Sequence, residues 1–290
     1  MKIQDLDFIQ AFMRMCNDGW EQRWHERNGG NLSYRMTKEE IRQILCLNTA
    51  SPAEWKSIGL SVSGLAGEWF LVTGSGKYFR HVRSNPEDGI AIIEIDEAGT
   101  HYRICWGLVN GGRPTSELPA HLMNHEVKRK KDENYRVIYH SHPTNLIALT
   151  FLMPPDDEIF TKTLWGMISE CVVVFPDGVG ILPWMVPGSR EIAEATAKLM
   201  EKYDVAIWAQ HGIFCAGADF DIAFGLTHTI EKAAEIFVKV RSAGGDTSRA
   251  ISMENIHRLE EAFLIKAQDD FAGNKIASVY SDDGYSFRKH

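Results

Sequence analysis

The stretch Tyr135-Arg136-Val137-Ile138-Tyr139-His140-Ser141-His142 decides how the chain is read. β-Branched and aromatic side chains over 135–140 predict a strand, and that strand runs into a His-Ser-His triplet. Helical periodicity takes over on both sides. Residues 116–130 read as a helix, with Pro119 tolerated in its first turn, and 144–152 and 156–167 read as short helices. Further on, the continuous apolar run 171–175 predicts a central strand, followed by the turn-rich Pro176-Asp177-Gly178-Val179-Gly180. A helix over 189–203, strands over 205–209 and 213–216, a long helix over 219–242 ending at Gly244-Gly245, and a last helix over 252–268 complete this half. The polar tail after about residue 273 is expected to be mobile.

Toward the N-terminus, Ile9, Phe12, Met13, Cys16, Trp20 and Trp24 form a helical stripe that Gly29-Gly30 stops. Thr37-Lys38-Glu39-Glu40 fits a capping box opening a second helix, and 48–67 reads as a loop. Strands follow at Trp69–Thr73, Ile90–Ile95 and 102–108, the last two joined by the turn Asp96-Glu97-Ala98-Gly99. Strands and helices interleave with no linker or repeat. This predicts one α/β domain over 1–290, a mixed sheet with helices on both faces.

The chain carries 31 Lys+Arg against 39 Asp+Glu, a net charge of −8, which argues against a general nucleic-acid binder. A local pocket can still oppose that charge and take a small anion. The N-terminus lacks the pattern of a signal peptide, and no apolar run is long enough to span a membrane, so no membrane partner is expected. Cys16, Cys46, Cys105, Cys171 and Cys215 are scattered and form no CxxC pair, which reads as reduced, mostly buried thiols.

Positions i and i+2 of a strand face the same way, so His140 and His142 can lean toward one metal ion. His211, followed by Gly212, can close a three-histidine set with an open fourth position. The alternative is that these are hydrogen-bonded rim residues. His121 and His125 compete at helical i, i+4 spacing, but Leu122 stands where a metalloprotease helix needs Glu, so buried or supporting roles suit them better. Asn28-Gly29-Gly30-Asn31, Thr73-Gly74-Ser75-Gly76-Lys77 and Thr115-Ser116 can each cradle a phosphate, or be plain turns and a helix cap. Glu117 falls in a first helical turn, and Glu170 stands before the predicted strand 171–175, where it would be partly buried. Pro183-Trp184-Met185-Val186-Pro187 is a candidate subunit contact.

Together, Arg27-Asn28-Gly29-Gly30-Asn31-Leu32, Thr73-Gly74-Ser75-Gly76-Lys77, Thr115-Ser116-Glu117-Leu118-Pro119-Ala120-His121, His140-Ser141-His142 and His211-Gly212 resemble, in their order, the class II sugar-phosphate aldolases and adducin heads. The match runs from about residue 8 to 245 and is weakest over 36–67; residues 174–188 are typical of one member. The resemblance implies a three-layer α/β/α sandwich around a mixed, largely antiparallel sheet, and a cytoplasmic homotetramer. It implies one Zn2+ per subunit held by His140, His142 and His211. Phosphate contacts map to Asn28, Gly29, Asn31, Ser75, Gly76, Thr115 and Ser116, the catalytic acid/base to Glu117, and a second carboxylate near the aldehyde to Glu170. The implied reaction is reversible retro-aldol cleavage of a sugar phosphate to dihydroxyacetone phosphate and an aldehyde. A pentulose-phosphate 4-epimerase is the nearest competitor. A non-enzymatic adducin-like head would predict a decayed histidine set.

Overall fold

The computed structural model describes residues 2–47 and 52–265. Its strands are β1 (Asn31–Arg35), β2 (Lys56–Ser57), β3 (Trp69–Thr73), β4 (Ile90–Ile95), β5 (His101–Gly107), β6 (Val137–Ser141), β7 (Gly180–Leu182), β8 (Val205–Trp208) and β9 (Gly212–Gly217). They form one nine-stranded sheet in the order β2-β5-β4-β3-β1-β6-β9-β8-β7. All neighbours are antiparallel except β7 and β8. The helices are α1 (Asp7–Glu21), α2 (Lys38–Leu47), α3 (Phe79–Val82), α4 (Pro86–Gly89), α5 (Leu118–Lys131), α6 (Thr144–Leu149), α7 (Asp157–Trp165), α8 (Glu170–Val174), α9 (Arg190–Lys202), α10 (Phe220–Ser242) and α11 (Met253–Phe263).

Period-two alternation builds the layers. Leu32, Tyr34, Leu71, Ile92, Val137 and Tyr139 face α1 and the start of α10. Their strand neighbours Phe70, Val72, Ala91 and Ile93 face Leu118 and Leu122 of α5. Ile138, Ala206, Trp208 and Phe214 continue that face under α9. Val205, Ile207, Ile213 and Cys215 face the helices α6 to α8, α10 and α11. The result is the expected α/β/α sandwich. Each fully buried Phe, Leu or Ile contributes roughly 1.5–3 kcal/mol. Lys128, in the C-terminal part of α5, is buried, and its Nζ donates to Tyr203 O (2.5 Å) and Asp204 Oδ1 (2.6 Å). Removing one partner of such a pair costs about 3–5 kcal/mol.

The structure corrects three expectations. Residues 171–175 form no strand: Glu170–Val174 is the helix α8, with Cys171 and Val172 buried and Val173 and Val174 exposed. A short apolar run does not separate strand from helix, and the sheet position beside β8 is taken by Gly180–Leu182, from the turn-rich stretch. The helix α1 ends at Glu21, well before Gly29-Gly30, because Arg23 turns left-handed (φ 64°) and Trp24 N donates to Gly19 O. Trp24 then packs on Phe224 and His228 from a loop. Asn31–Arg35, for which the sequence predicts no element, is a fully buried central strand. The last helix ends at Phe263, short of the expected 268, because Leu264 turns left-handed (φ 54°); residues 266–268 and the polar tail lie outside the described residues.

Candidate metal and substrate site

His140 and Ser141 end β6, His142 follows them, and His211 lies in the turn between β8 and β9. That turn places Gln210 in the left-handed region (φ 56°), a conformation a non-glycine residue holds only with support. Thr150 supplies it: Gln210 N donates to Thr150 Oγ1 (3.0 Å) and Gln210 Nε2 to Thr150 O (3.0 Å). At Gly212 a Cβ would meet Ser141 O and approach His142 Cδ2 to 2.9 Å, so only glycine lets the two histidine-bearing segments come this close.

Hydrogen bonds fix the ring states. His140 Nδ1–H donates to Ile213 O (3.0 Å), and His142 Nδ1–H donates to Glu26 (2.8 Å). With Nδ1 engaged outward, each ring turns its Nε2 inward, and that of the neutral His140 is bare. These two nitrogens lie 3.3 Å apart, and His211 Nε2 is 3.2 Å from that of His140. Three nitrogens on a tetrahedral Zn2+ at about 2.0–2.1 Å would be separated by about 3.3 Å. Burial, then His142 and the other rings, holds His140 well below the usual histidine pKa, and burial lowers His211 to about 4. His140 and His211 are therefore neutral near pH 7, the state in which an imidazole binds a metal. The residues fit a divalent cation.

Glu117 caps the N-terminus of α5, buried, with Oε2 3.7 Å from His140 Nε2. Asn31 Nδ2 donates to that same oxygen (2.7 Å). Burial raises the Glu117 pKa above the ordinary carboxylate value, while the Asn31 bond opposes the rise. A cleft of about 160 Å³ opens beside Glu117, walled by Ser116, Ile58, Ile192 and Trp208.

The three glycine- and hydroxyl-bearing segments meet at this end of the sheet. Leu32 N donates to Thr73 Oγ1, Thr115 N donates to Thr73 O, and Ser75 N donates to Arg113 O. Thr115 Oγ1 in turn accepts from Glu117 N (3.2 Å). Asn28 and Gly76 are exposed here, and Gly29 approaches His142 so closely that a Cβ would lie 2.9 Å from its ring. Asn31 differs from its companions, because its amide is engaged at both ends, by Glu117 and by His121. Lys77 is paired with Asp88 (2.6 Å). His121 and His125 are fully buried on α5 and bonded to Ser33, apart from the cluster. Glu170 is not buried before a strand: it opens α8, exposed, and α8 packs on α7, α10 and α11.

Sequence reasoning missed Glu26 and His25. Glu26 orients His142, and its pKa is lowered chiefly by that bond. His25 Nδ1–H donates to Gly29 O and its Nε2 accepts from Tyr139 O–H (2.7 Å), which fixes the glycine loop to β6. Both residues precede a turn whose folding back on β6 has no local pattern.

Three histidines that could hold a metal ion thus lie beside a buried carboxylate at the end of this sheet. Residues 10–238 match the family described as Class II Aldolase and Adducin N-terminal domain, and the chain belongs to that family. The family is metal-dependent, and the chain is a carbon–carbon lyase of the aldolase class. Among curated relatives, it is 47% identical over 266 residues to the rhamnulose-1-phosphate aldolase of Mannheimia succiniciproducens, covering 90% of this chain and 96% of that one. It is 44% identical to the enzyme of the same name from Listeria welshimeri, covering 91% and 94%. A crystal structure of a sugar-phosphate aldolase from Thermotoga maritima superposes with a TM-score of 0.70 at 27% identity, covering 83% of this chain and 97% of that one.

Proposed function

We propose that the chain cleaves L-rhamnulose 1-phosphate reversibly into dihydroxyacetone phosphate and L-lactaldehyde, in rhamnose catabolism, with one Zn2+ per subunit on His140, His142 and His211. The observation that carries the reading is the pair of inward-facing Nε2 atoms at 3.3 Å beside the Glu117 carboxylate. It is joined by relatives of that name at 44–47% identity over about nine-tenths of the chain.

In the cleavage direction the C4 hydroxyl loses its proton, the C3–C4 electron pair passes to C3, and C3 must then gain a proton. A divalent cation supplies Lewis-acid stabilisation of the negative charge so released. Glu117 handles the proton at C3: it is within hydrogen-bonding range of the ring-lined space, and burial makes it a better base than a solvated carboxylate. Asn28, Gly29, Ser75, Gly76, Thr115 and Ser116 bind the phosphate, so remote binding energy places the reacting carbons. Asn31 contributes from its place beside Glu117. The apolar wall of Ile58, Ile192 and Trp208 suits the aldehyde end.

We assign Glu170 to proton traffic at the aldehyde only from a neighbouring subunit, since within one chain it lies on the exposed start of α8. The chain then works as one catalytic unit in a cytoplasmic homotetramer. Trp184 and Val186, 61% and 60% exposed, support a subunit contact. Comparing cleavage of L-rhamnulose 1-phosphate, L-fuculose 1-phosphate and ribulose 5-phosphate tests the assignment. The first should have the highest kcat/KM, and preference for either of the others would replace the substrate.

A further inference from the structure

Behind Glu117 lies a polar chain that the proposed reaction does not use. Asn31 and Ser33 occupy alternate positions of β1 and so share one face. Glu117, His121 and His125 recur on successive turns at the start of α5, facing them. Asn31 Nδ2 meets Glu117 Oε2 (2.7 Å) and Asn31 Oδ1 meets His121 Nε2. Ser33 Oγ meets His121 Nδ1 (2.6 Å) and His125 Nε2 (2.8 Å). Every member of the chain is buried.

The chemistry fixes the direction of every bond. An ionised Glu117 only accepts, so Asn31 must present its amide N–H to it. Asn31 Oδ1 then faces His121 and needs a donor, which is Nε2–H. Burial keeps His121 neutral, with a pKa of about 3, so its other nitrogen is bare. Ser33 therefore donates its hydroxyl to His121 Nδ1, and its oxygen accepts from His125 Nε2–H. Each group can act only one way once the first is set.

We propose that His121, held by Ser33, is a positioning residue that locks the Asn31 amide and through it places the Glu117 carboxylate beside the reacting carbon. This rests on the reading of Glu117 as the proton-transfer group. Without the His121 donor, Asn31 Oδ1 is a buried acceptor with no partner, and the amide leaves its seat. The carboxylate then loses its only side-chain hydrogen-bond donor among the described residues.

The test compares the wild type with His121→Met, which removes the donor, and His121→Gln, which returns an N–H near the Nε2 position. Cation content, KM, kcat for L-rhamnulose 1-phosphate and deuterium exchange at C3 of dihydroxyacetone phosphate are read for each. His121→Met should lower kcat and exchange roughly 10- to 100-fold, while cation content and KM stay within about twofold. His121→Gln should recover most of the loss. Combined with Asn31→Ala, His121→Met should add nothing, because it acts through Asn31. Equal impairment by Met and Gln, additive losses in the double variant, or unchanged kcat in His121→Met would each overturn the proposal. Nitrogen-15 spectra of the wild type give an independent readout: His121 should be protonated at Nε2, and protonation at Nδ1 would overturn the proposal even if the variants fail to fold. Glu117→Gln separates the two ideas. Wild-type exchange in that variant removes the role of Glu117 itself, whereas loss there with normal exchange in His121→Met removes only the role of His121.

Discussion

Two sets of histidines lie close together and do opposite things. His121 and His125 are completely buried, and their described contacts pair them with Ser33 and Asn31. His140 is equally buried, yet its inner nitrogen faces two other imidazoles, at 3.2 and 3.3 Å. Residue type and burial are therefore uninformative here. What separates a supporting histidine from a metal-binding one is whether its lone pairs already have donors. The outer hydrogen bonds decide that: Ile213 O and Glu26 take the protons of His140 and His142 on the far side of each ring.

The largest effect that sharpens this comparison belongs to the carboxylate between the two sets. Glu117→Gln should lower kcat roughly 10²–10⁴-fold and stop C3 exchange with solvent deuterium while the cation is retained. Wild-type exchange would detach Glu117 from the chemistry. Next, Ser75→Ala should raise KM for the phosphate substrate by roughly 10- to 100-fold, the worth of one hydrogen bond to a charged group, with cation content unchanged. An unaltered KM would turn that loop away from the substrate. Glu26→Gln should weaken cation affinity about 10- to 100-fold by loosening the His142 ring, as measured by competition with a chelator. Equal affinity would mean that His142 needs no orienting partner.

The smallest effect tests the paired set through pH. Burial lowers His25 and His121 to about 3. Unfolded histidine titrates near 6.5, so between those values the unfolded chain binds protons that the folded chain refuses. Stability is thus full above about pH 6.5 and falls as the pH drops toward 3, by at most about 1.4 kcal/mol per pH unit for each ring. Urea denaturation of the metal-free protein at pH 7 and pH 5 should show this loss, and His121→Gln should lessen it. A flat profile would mean that these rings are accessible to protons when folded.

Much of this site could be read from the chain. His140-Ser141-His142 and His211-Gly212 announce convergent imidazoles through strand spacing and a permissive glycine, and the hairpin from β4 to β5 follows from its turn. What stayed hidden has a common physical cause. Asn31–Arg35 alternates polar and apolar residues, a pattern that fits a strand with one face in solvent, but both of its faces are buried. Its polar face is covered by Glu117, His121 and His125, whose partnership with Asn31 and Ser33 spans roughly ninety residues of sequence and leaves no local trace. The run 171–175 failed for the opposite reason: apolar composition suggests burial on both sides, whereas two of its valines face solvent on a short helix.

The most direct test of the account is the cation content of purified variants. The wild type should hold about one zinc per chain, released by a chelator with loss of activity and restored with it. His142→Ala should lose tight binding, because two imidazoles hold the ion poorly, while His125→Gln should retain full stoichiometry. Zinc retained in His142→Ala, or lost in His125→Gln with the fold intact, would contradict the division between the two histidine sets.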